Sequence, residues 1–295
     1  MITIPGPFAA RIARDEGAPG RRWLAELPRL VDDVCEDWAL RPAGDPLHGY
    51  VAIVLPVTRA DGTPAMLKIS WRDAETADEP VALATWNGEG AVLLLERDDV
   101  RGALLLERLE SRRSLDDEPI EAAVTVAGGL LRRLAVPAPA LRRTLPELAR
   151  RWIVELPEEN AKLGDPVPKP LLDKAIDYCR ELGPSAAAQL VNEDLHYFNV
   201  LGGIREPWLL IDPKVLSGDP EFGLVPLLWN RFGLMDGDSG VRDRLAALVE
   251  IAELDAERAR GWTLVRAVDN WLWTCAHDGF PTAEACARIA AALAG

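Results

Sequence analysis

Apolar positions fall in short, strand-length runs in the first third of the chain and recur at helical spacing after Ser114. The stretch "YVAIVLPVTRADGTPAMLKIS" predicts a β-hairpin, with strands over Tyr50–Val57 and Ala65–Ser70 joined through Asp61-Gly62, a strong turn pair. A helix follows, capped by Thr76 or Asp78, running to about Trp86 and ended by Gly88. "GAVLLLERDDVRGALLLERL" then places two apolar runs around the charged turn Arg97–Arg101, a second hairpin. The N-terminal part therefore reads as a small antiparallel sheet with one helix.

Helical spacing governs Pro119–Leu134, Leu145–Leu156, Leu171–Leu182 and Val241–Ala259. The last puts Leu245, Leu248, Val249 and Ala252 on one face. Between these helices lie two short strand-like pieces, Asn199–Leu201 and Trp208–Ile211. The change of texture puts a boundary near Leu109–Leu115, with a β-rich lobe over residues 1–110 and a larger helical lobe over 111–295. The class is α+β.

One segment breaks this pattern. In "LVNEDLHYFNVL", Leu190–Leu201, an apolar run is interrupted by Asn192, Glu193, Asp194, His196 and Asn199. Polar side chains between apolar flanks are costly to bury without partners or a task. They are either a solvated turn or a loop that holds a metal and a phosphate.

The chain has 295 residues, 48% of them hydrophobic, enough for a sizeable core in one large domain or two lobes. Its formal net charge of -14 argues against a nucleic-acid backbone as partner and suits a cationic small molecule, though acidity also serves solubility. Cys35, Cys179, Cys275 and Cys286 form no CxxC pair, and His48, His196 and His277 are scattered, so a zinc site is not expected. Buried reduced thiols are the expectation. The N-terminus has no apolar signal core, and no run is long enough to cross a membrane, which points to a cytoplasmic protein.

Chemistry concentrates around Asp194. Asn199 follows five positions later, and Asp212 ends the apolar run "WLLID" thirteen after that. Asp-x-x-x-x-Asn is the spacing of a kinase catalytic loop, in which the Asp meets the acceptor hydroxyl and the Asn helps to bind Mg²⁺. A second carboxylate after the following strand would complete the metal ligands. Lys68, between Leu67 and Ile69, either snorkels to solvent from an edge strand or faces a cleft where it could grip phosphates. Glu79 on the next helix is its candidate partner, with Glu75 as the fallback.

Four stretches carry a resemblance: "DGTPAMLKIS", "GALLLERLESRRSL", "NEDLHYFNVL" and "REPWLLIDPKVLSGDPEFGLVPLLWNR". With them the chain resembles the aminoglycoside and hydroxyurea antibiotic phosphotransferases, of the streptomycin 6-phosphotransferase type, over roughly Trp38 to Arg231. The resemblance implies a bilobal protein-kinase-like fold, ATP and Mg²⁺, and transfer of the γ-phosphoryl group to a hydroxyl of a small, often cationic, antibiotic. By position it makes Asp194 the catalytic acid–base residue, Asn199 and Asp212 the Mg²⁺ ligands, Lys68 the phosphate-binding lysine and Glu79 its ion-pair partner. It places the adenine-facing hinge at Glu107–Leu109.

Departures accompany the match. The family's usual His-Gly-Asp reads Asn192-Glu193-Asp194 here, and the nucleotide loop "RPAGDPLHGYVAIV" keeps only Gly44 and Gly49. Asn192 could supply some of the histidine's hydrogen bonds. Glu193 sets a second anion beside Asp194 unless it points away or meets a cation, and it is expected to face the acceptor pocket or solvent. Near the C-terminus, "RAVDNWLWTCAHDGF" brings acids and indoles together. Asp269 and Trp273 are candidate contacts to a cationic acceptor, with Asp278 close by; an amphipathic helix burying its tryptophans explains the same pattern. Asp219 either braces its loop or caps a helix, and His196 reads as a structural loop residue. Two other readings stand beside an antibiotic kinase: a kinase of another hydroxylated metabolite, and a non-catalytic nucleotide- or ligand-binding relative.

Overall fold

The computed structural model describes residues 2–277 and 282–295; Asp278 lies outside the described residues. The chain divides into two compact units, Met1–Glu110 and Ser111–Gly295.

The first unit opens with two helices, α1 (Gly6–Asp15) and α2 (Gly17–Asp37), joined at Gly17, whose φ is +59°. Strands β1 (Arg41–Pro42), β2 (Leu47–His48), β3 (Ala52–Thr58) and β4 (Pro64–Ser70) follow. Then come α3 (Glu79–Trp86), β5 (Leu94–Asp98) and β6 (Ala103–Glu107). The strands form one antiparallel sheet in the order β1-β3-β4-β6-β5, with β2 also on β3. Both expected hairpins are present. The single-helix expectation is not: α1 and α2 cover one face of the sheet, which the local pattern did not reveal.

The packing of that face follows strand periodicity. Ile53, Leu55 and Val57 of β3, Leu67 and Ile69 of β4, and Leu105 of β6 point the same way and bury against Phe8, Ile12, Leu27, Val31 and Val34. Lys68, one residue out of phase, therefore projects from the opposite face. It sits on β4, an interior strand between β3 and β6, so the exposed edge-strand alternative does not hold. The glycine-poor segment from Ala43 to Gly49, which includes β2, is tied at both ends, by Ala43 N–H to Pro56 O and Gly49 N–H to Ala52 O.

The second unit carries all but the first residue of β7 (Glu110–Ser114), then α4 (Ile120–Leu134), α5 (Leu145–Lys162) and α6 (Lys169–Leu182). Strands β8 (Gln189–Asn192), β9 (Val200–Gly202), β10 (Trp208–Leu210) and β11 (Val215–Gly218) come next. Helices α7 (Val225–Trp229), α8 (Gly237–Ala252), α9 (Ala256–Ala276) and α10 (Ala283–Ala294) complete it. One small sheet runs β10-β9-β7, and another pairs β8 with β11.

Two helix boundaries in this unit need correction. The helix expected over Val241–Ala259 is two helices. Glu253 takes a left-handed φ of +55°, and Asp255 caps α9 by accepting the Arg258 N–H at 2.8 Å. Helix α5 runs six residues past Leu156, through Pro157, because buried Asn160 beyond it holds both the N–H and the C=O of Val167. Among the described residues no helix is long and apolar enough to cross a membrane. Cys35, Cys179 and Cys286 are buried, whereas Cys275 is exposed, contrary to the buried-thiol expectation.

Candidate active site

In the first unit, Lys68 Nζ lies 2.6 and 2.7 Å from the two carboxylate oxygens of Glu79, with both side chains at most 5% exposed. Glu79 occupies the first turn of α3, where the helix dipole favours an anion. Glu79, rather than the exposed Glu75, is thus the carboxylate that Lys68 meets at hydrogen-bond distance. A buried ion pair gives little net stability, because the desolvation of two charges offsets their attraction. Its retention calls for another reason.

At the end of β6, Glu107 is engaged twice with Leu93: its carboxylate accepts the Leu93 N–H at 2.8 Å, and its own N–H donates to Leu93 O at 3.0 Å. Its side chain closes the β5–β6 ladder. Leu109 lies two residues on and is partly buried.

In the second unit the polar interruption folds into a braced loop. Asn192 ends β8 opposite Val215. Its Oδ1 accepts from Asp194 N–H at 3.1 Å and Lys214 N–H at 3.2 Å, and Glu193 N–H donates to Lys214 O at 2.9 Å. Asn192 thus braces the loop through its amide oxygen. A short 3₁₀ turn over Tyr197–Asn199 follows. Asn199 Nδ2 donates to Asp194 O at 3.0 Å, and Ile211 N–H donates to Asn199 O at 2.8 Å. Asp194, Asn199 and the residue before Asp212 are therefore linked, through the Asn199 side chain on one side and its main-chain carbonyl on the other. Asp212 itself is exposed, with φ +52°, a left-handed turn at the end of the strand that an Asp tolerates better than most residues.

His196 Nε2 lies 2.8 Å from Asp194 Oδ1. An ionised carboxylate only accepts, so Nε2 carries the hydrogen. The ring stacks on Phe198, 4.7 Å between centroids, which fixes its plane and fits a structural role. Burial alone pushes the Asp194 carboxyl up. The His196 hydrogen bond and the positive charges of Lys214 and Arg266 help to outweigh it, and the carboxyl sits below the ordinary Asp value. Asp194 is thus an anion, able to accept a hydrogen bond from a hydroxyl.

Glu193 does not face solvent. Its side chain is 8% exposed; one oxygen accepts from Arg143 and the other from Arg266 at 2.8 Å. The second anion beside Asp194 is neutralised inside the protein by cations from outside the loop. Arg266 belongs to α9 and also lies over the Phe222 ring, 4.7 Å from its centroid. Glu193→Ala would strand two largely buried guanidiniums, and the expected loss is about 3 kcal/mol of unfolding free energy in urea denaturation. Glu193→Gln, which keeps an acceptor oxygen, loses less.

Several anchors were not identified from sequence. Buried Tyr197 donates its hydroxyl to Leu227 O at 3.2 Å, and its N–H meets Asn230 Oδ1 at 2.9 Å. Asn230 and Arg231 are the end of the "PLLWNR" motif, and Arg231 donates to Glu118 O at 2.8 Å. That motif is therefore a brace for the loop. Asp219 is a brace as well: it accepts from Ala187 N–H, the Arg258 guanidinium and Trp262 Nε1–H, and makes no capping bond to its own turn.

Asp269 and Trp273 lie four residues apart on α9, hence on one side of it. Trp273 is 39% exposed and stacks on His277 at 4.9 Å. Asp269 is partly buried; burial pushes its carboxyl up to about 6, against the pull of Arg266. A carboxyl raised in the folded state contributes stability that is fully present below its unfolded value of 3.8 and is lost as pH rises through about 6. Asp269→Asn should therefore stabilise the protein above pH 6, with the difference in melting temperature shrinking as pH falls toward 4, measured by thermal unfolding across that range.

The site residues suit a hard cation. Asn199 Nδ2 is engaged with Asp194 O, so its amide oxygen is the atom left to act as a ligand, and Asp212 adds a carboxylate. Among the described residues no group of three or more His, Cys, Asp or Glu side chains is placed to hold a metal ion.

Comparison with known proteins settles the family. Residues 37–279 match the aminoglycoside/hydroxyurea antibiotic resistance kinases. The chain belongs to that family. It is 46% identical over 277 residues to the hydroxyurea phosphotransferase of Kitasatospora aureofaciens, covering 92% of this chain and 80% of that one. It is 40% identical over 301 residues to the streptomycin 6-kinase of Streptomyces glaucescens, covering 100% of this chain and 98% of the relative. Among solved structures, the choline kinase LicA from Streptococcus pneumoniae superposes with a TM-score of 0.62 at 14% identity, covering 91% of this chain and 99% of that one. That likeness shows the kinase-like α+β fold. The protein is thus a small-molecule phosphotransferase, and a phosphorylated donor is implied. The non-catalytic reading falls.

Proposed function

We propose that this family member transfers the γ-phosphoryl group of ATP, with Mg²⁺, to a hydroxyl of a cationic aminoglycoside of the streptomycin type. The observation that supports the reading is the bonded set Asp194–Asn199–Ile211, which runs directly into Asp212, together with an Asp194 carboxyl held below the ordinary Asp value. In this role Asp194 orients the acceptor hydroxyl and takes its proton late, while Asn199 and Asp212 hold the cation. Mg²⁺, when bound, neutralises charge on the phosphate oxygens. Lys68, fixed by Glu79, holds the α- and β-phosphates, and main-chain groups between Glu107 and Leu109 meet the adenine. Catalysis is then positioning and charge neutralisation. The Asp269 and Trp273 side of α9 offers an anion and an aromatic face to a cationic acceptor.

The full-length match to a streptomycin 6-kinase favours streptomycin, and the 46% identity to a hydroxyurea phosphotransferase supports hydroxyurea as the second acceptor. The test is Mg²⁺-dependent transfer of labelled phosphate from ATP to streptomycin, other aminoglycosides, hydroxyurea and simple sugars, with Asp194→Ala as control. Transfer to streptomycin that is lost in the variant is expected. Transfer to hydroxyurea alone would move the acceptor to the second reading, and transfer to none would remove both.

A further inference from the structure

Lys214 lies against the loop through both its main chain and its side chain. Its main chain is held on both sides, by Asn192 Oδ1 and by Glu193 N–H, just before β11 begins. Its side chain, 37% exposed, brings Nζ to 3.9 Å from Asp194 Oδ2. That is longer than a hydrogen bond, and the other carboxylate oxygen is already held by His196. A part-exposed ion pair at this distance contributes little stability. Arg143 and Arg266 reach Glu193, and Lys214 lies against Asp194, the carboxylate proposed to receive the acceptor's proton.

We propose that Lys214 is a catalytic residue of the phosphoryl transfer, its ammonium donating to an equatorial oxygen of the transferring phosphoryl group. The inference rests on the kinase reading above. An acceptor hydroxyl bonded to Asp194 has its oxygen next to the phosphorus it attacks. A cation 3.9 Å from the same carboxylate is therefore within a side-chain rotation of the phosphoryl oxygens. As the acceptor O–P bond forms, the bond from Pγ to the bridging oxygen breaks. The hydroxyl proton passes to Asp194, and ADP leaves with the bonding pair. Lys214 stays protonated throughout and gains strength as charge spreads over the equatorial oxygens. A compact point charge on a flexible stem suits that task, and its main-chain clamps tie its position to Asp194 itself.

The test uses the full chain with Lys214→Met and Lys214→Arg, and Mg-ADP with and without aluminium fluoride, a mimic of the transferring phosphoryl group. In the parent protein aluminium fluoride should tighten Mg-ADP binding. Lys214→Met should lose about 10²-fold of that tightening while Mg-ADP affinity alone stays within about threefold, and Lys214→Arg should recover part of the loss. In turnover, kcat should fall by a similar factor with the KM for ATP held. A Met variant that keeps the full tightening overturns the proposal and leaves the kinase reading intact. One that loses Mg-ADP binding overturns it in favour of a structural role for Lys214. A parent protein that binds no Mg-ADP overturns the kinase reading itself, before any substitution is made.

Discussion

Asp194→Asn should keep the folded structure and lose phosphoryl transfer by about 10³-fold in kcat. The substitution is nearly isosteric, and the main-chain bonds that shape the loop do not use the carboxylate: Asp194 N–H still meets Asn192 Oδ1, and Asp194 O still accepts from Asn199 Nδ2. What changes is the charge. The amide cannot take the acceptor proton, and His196 and Lys214 lose the anion that both now face. The loss should therefore appear in kcat, with the KM for ATP little changed, since nucleotide contacts are assigned elsewhere. An equal loss of Mg-ATP affinity would mean that Asp194 acts mainly through the metal site. Loss of the folded transition would mean that its ion pairs are structural.

The second large effect concerns Lys68. Lys68→Met should lower kcat/KM for ATP by about 10²–10³-fold, by removing a cation from the phosphates. It should also destabilise the protein by about 3–5 kcal/mol, because Glu79 is left as a buried, unpaired carboxylate. The two effects can be separated. In the double variant Lys68→Met with Glu79→Leu, the buried pair is replaced by apolar groups of similar size, which is often neutral or stabilising. Urea unfolding should then return toward the parent value while kcat/KM stays low. Recovery of both would show that the pair serves the fold alone. Recovery of stability without activity would show that the sheet tolerates an apolar pair and that the ions serve the nucleotide.

The elements most legible in the sequence are those fixed by local chemistry. The Asp61-Gly62 turn and its flanking runs gave the β3–β4 hairpin, and the apolar runs around Arg97–Arg101 gave β5 and β6. Helices α4 and α6 followed from the spacing of their apolar positions. The order of Lys68, Glu79, Asp194, Asn199 and Asp212 was also readable, because each lies at a fixed offset from a strand end or a helix start. The N-terminal helices were not. Proline, glycine and charge interrupt their pattern, and Phe8, Ile12, Leu27, Val31 and Val34 gain meaning only from the sheet face they cover.

Sequence by itself thus determined the mixed α+β character, the order and spacing of the candidate site residues, and the family. Tertiary structure alone decided which charges meet. Glu193 looked like an uncompensated anion because its partners lie 50 residues before it and 73 after it, at Arg143 and Arg266. The fate of Lys68 depended on β4 being an interior strand, and the pairing of Lys214 with Asp194 on two strand ends held together by Asn192. Local pattern sets backbone periodicity and turn chemistry within a few residues. The cost of burying a charge is settled by whichever distant segment packs against it, and that information is in the fold.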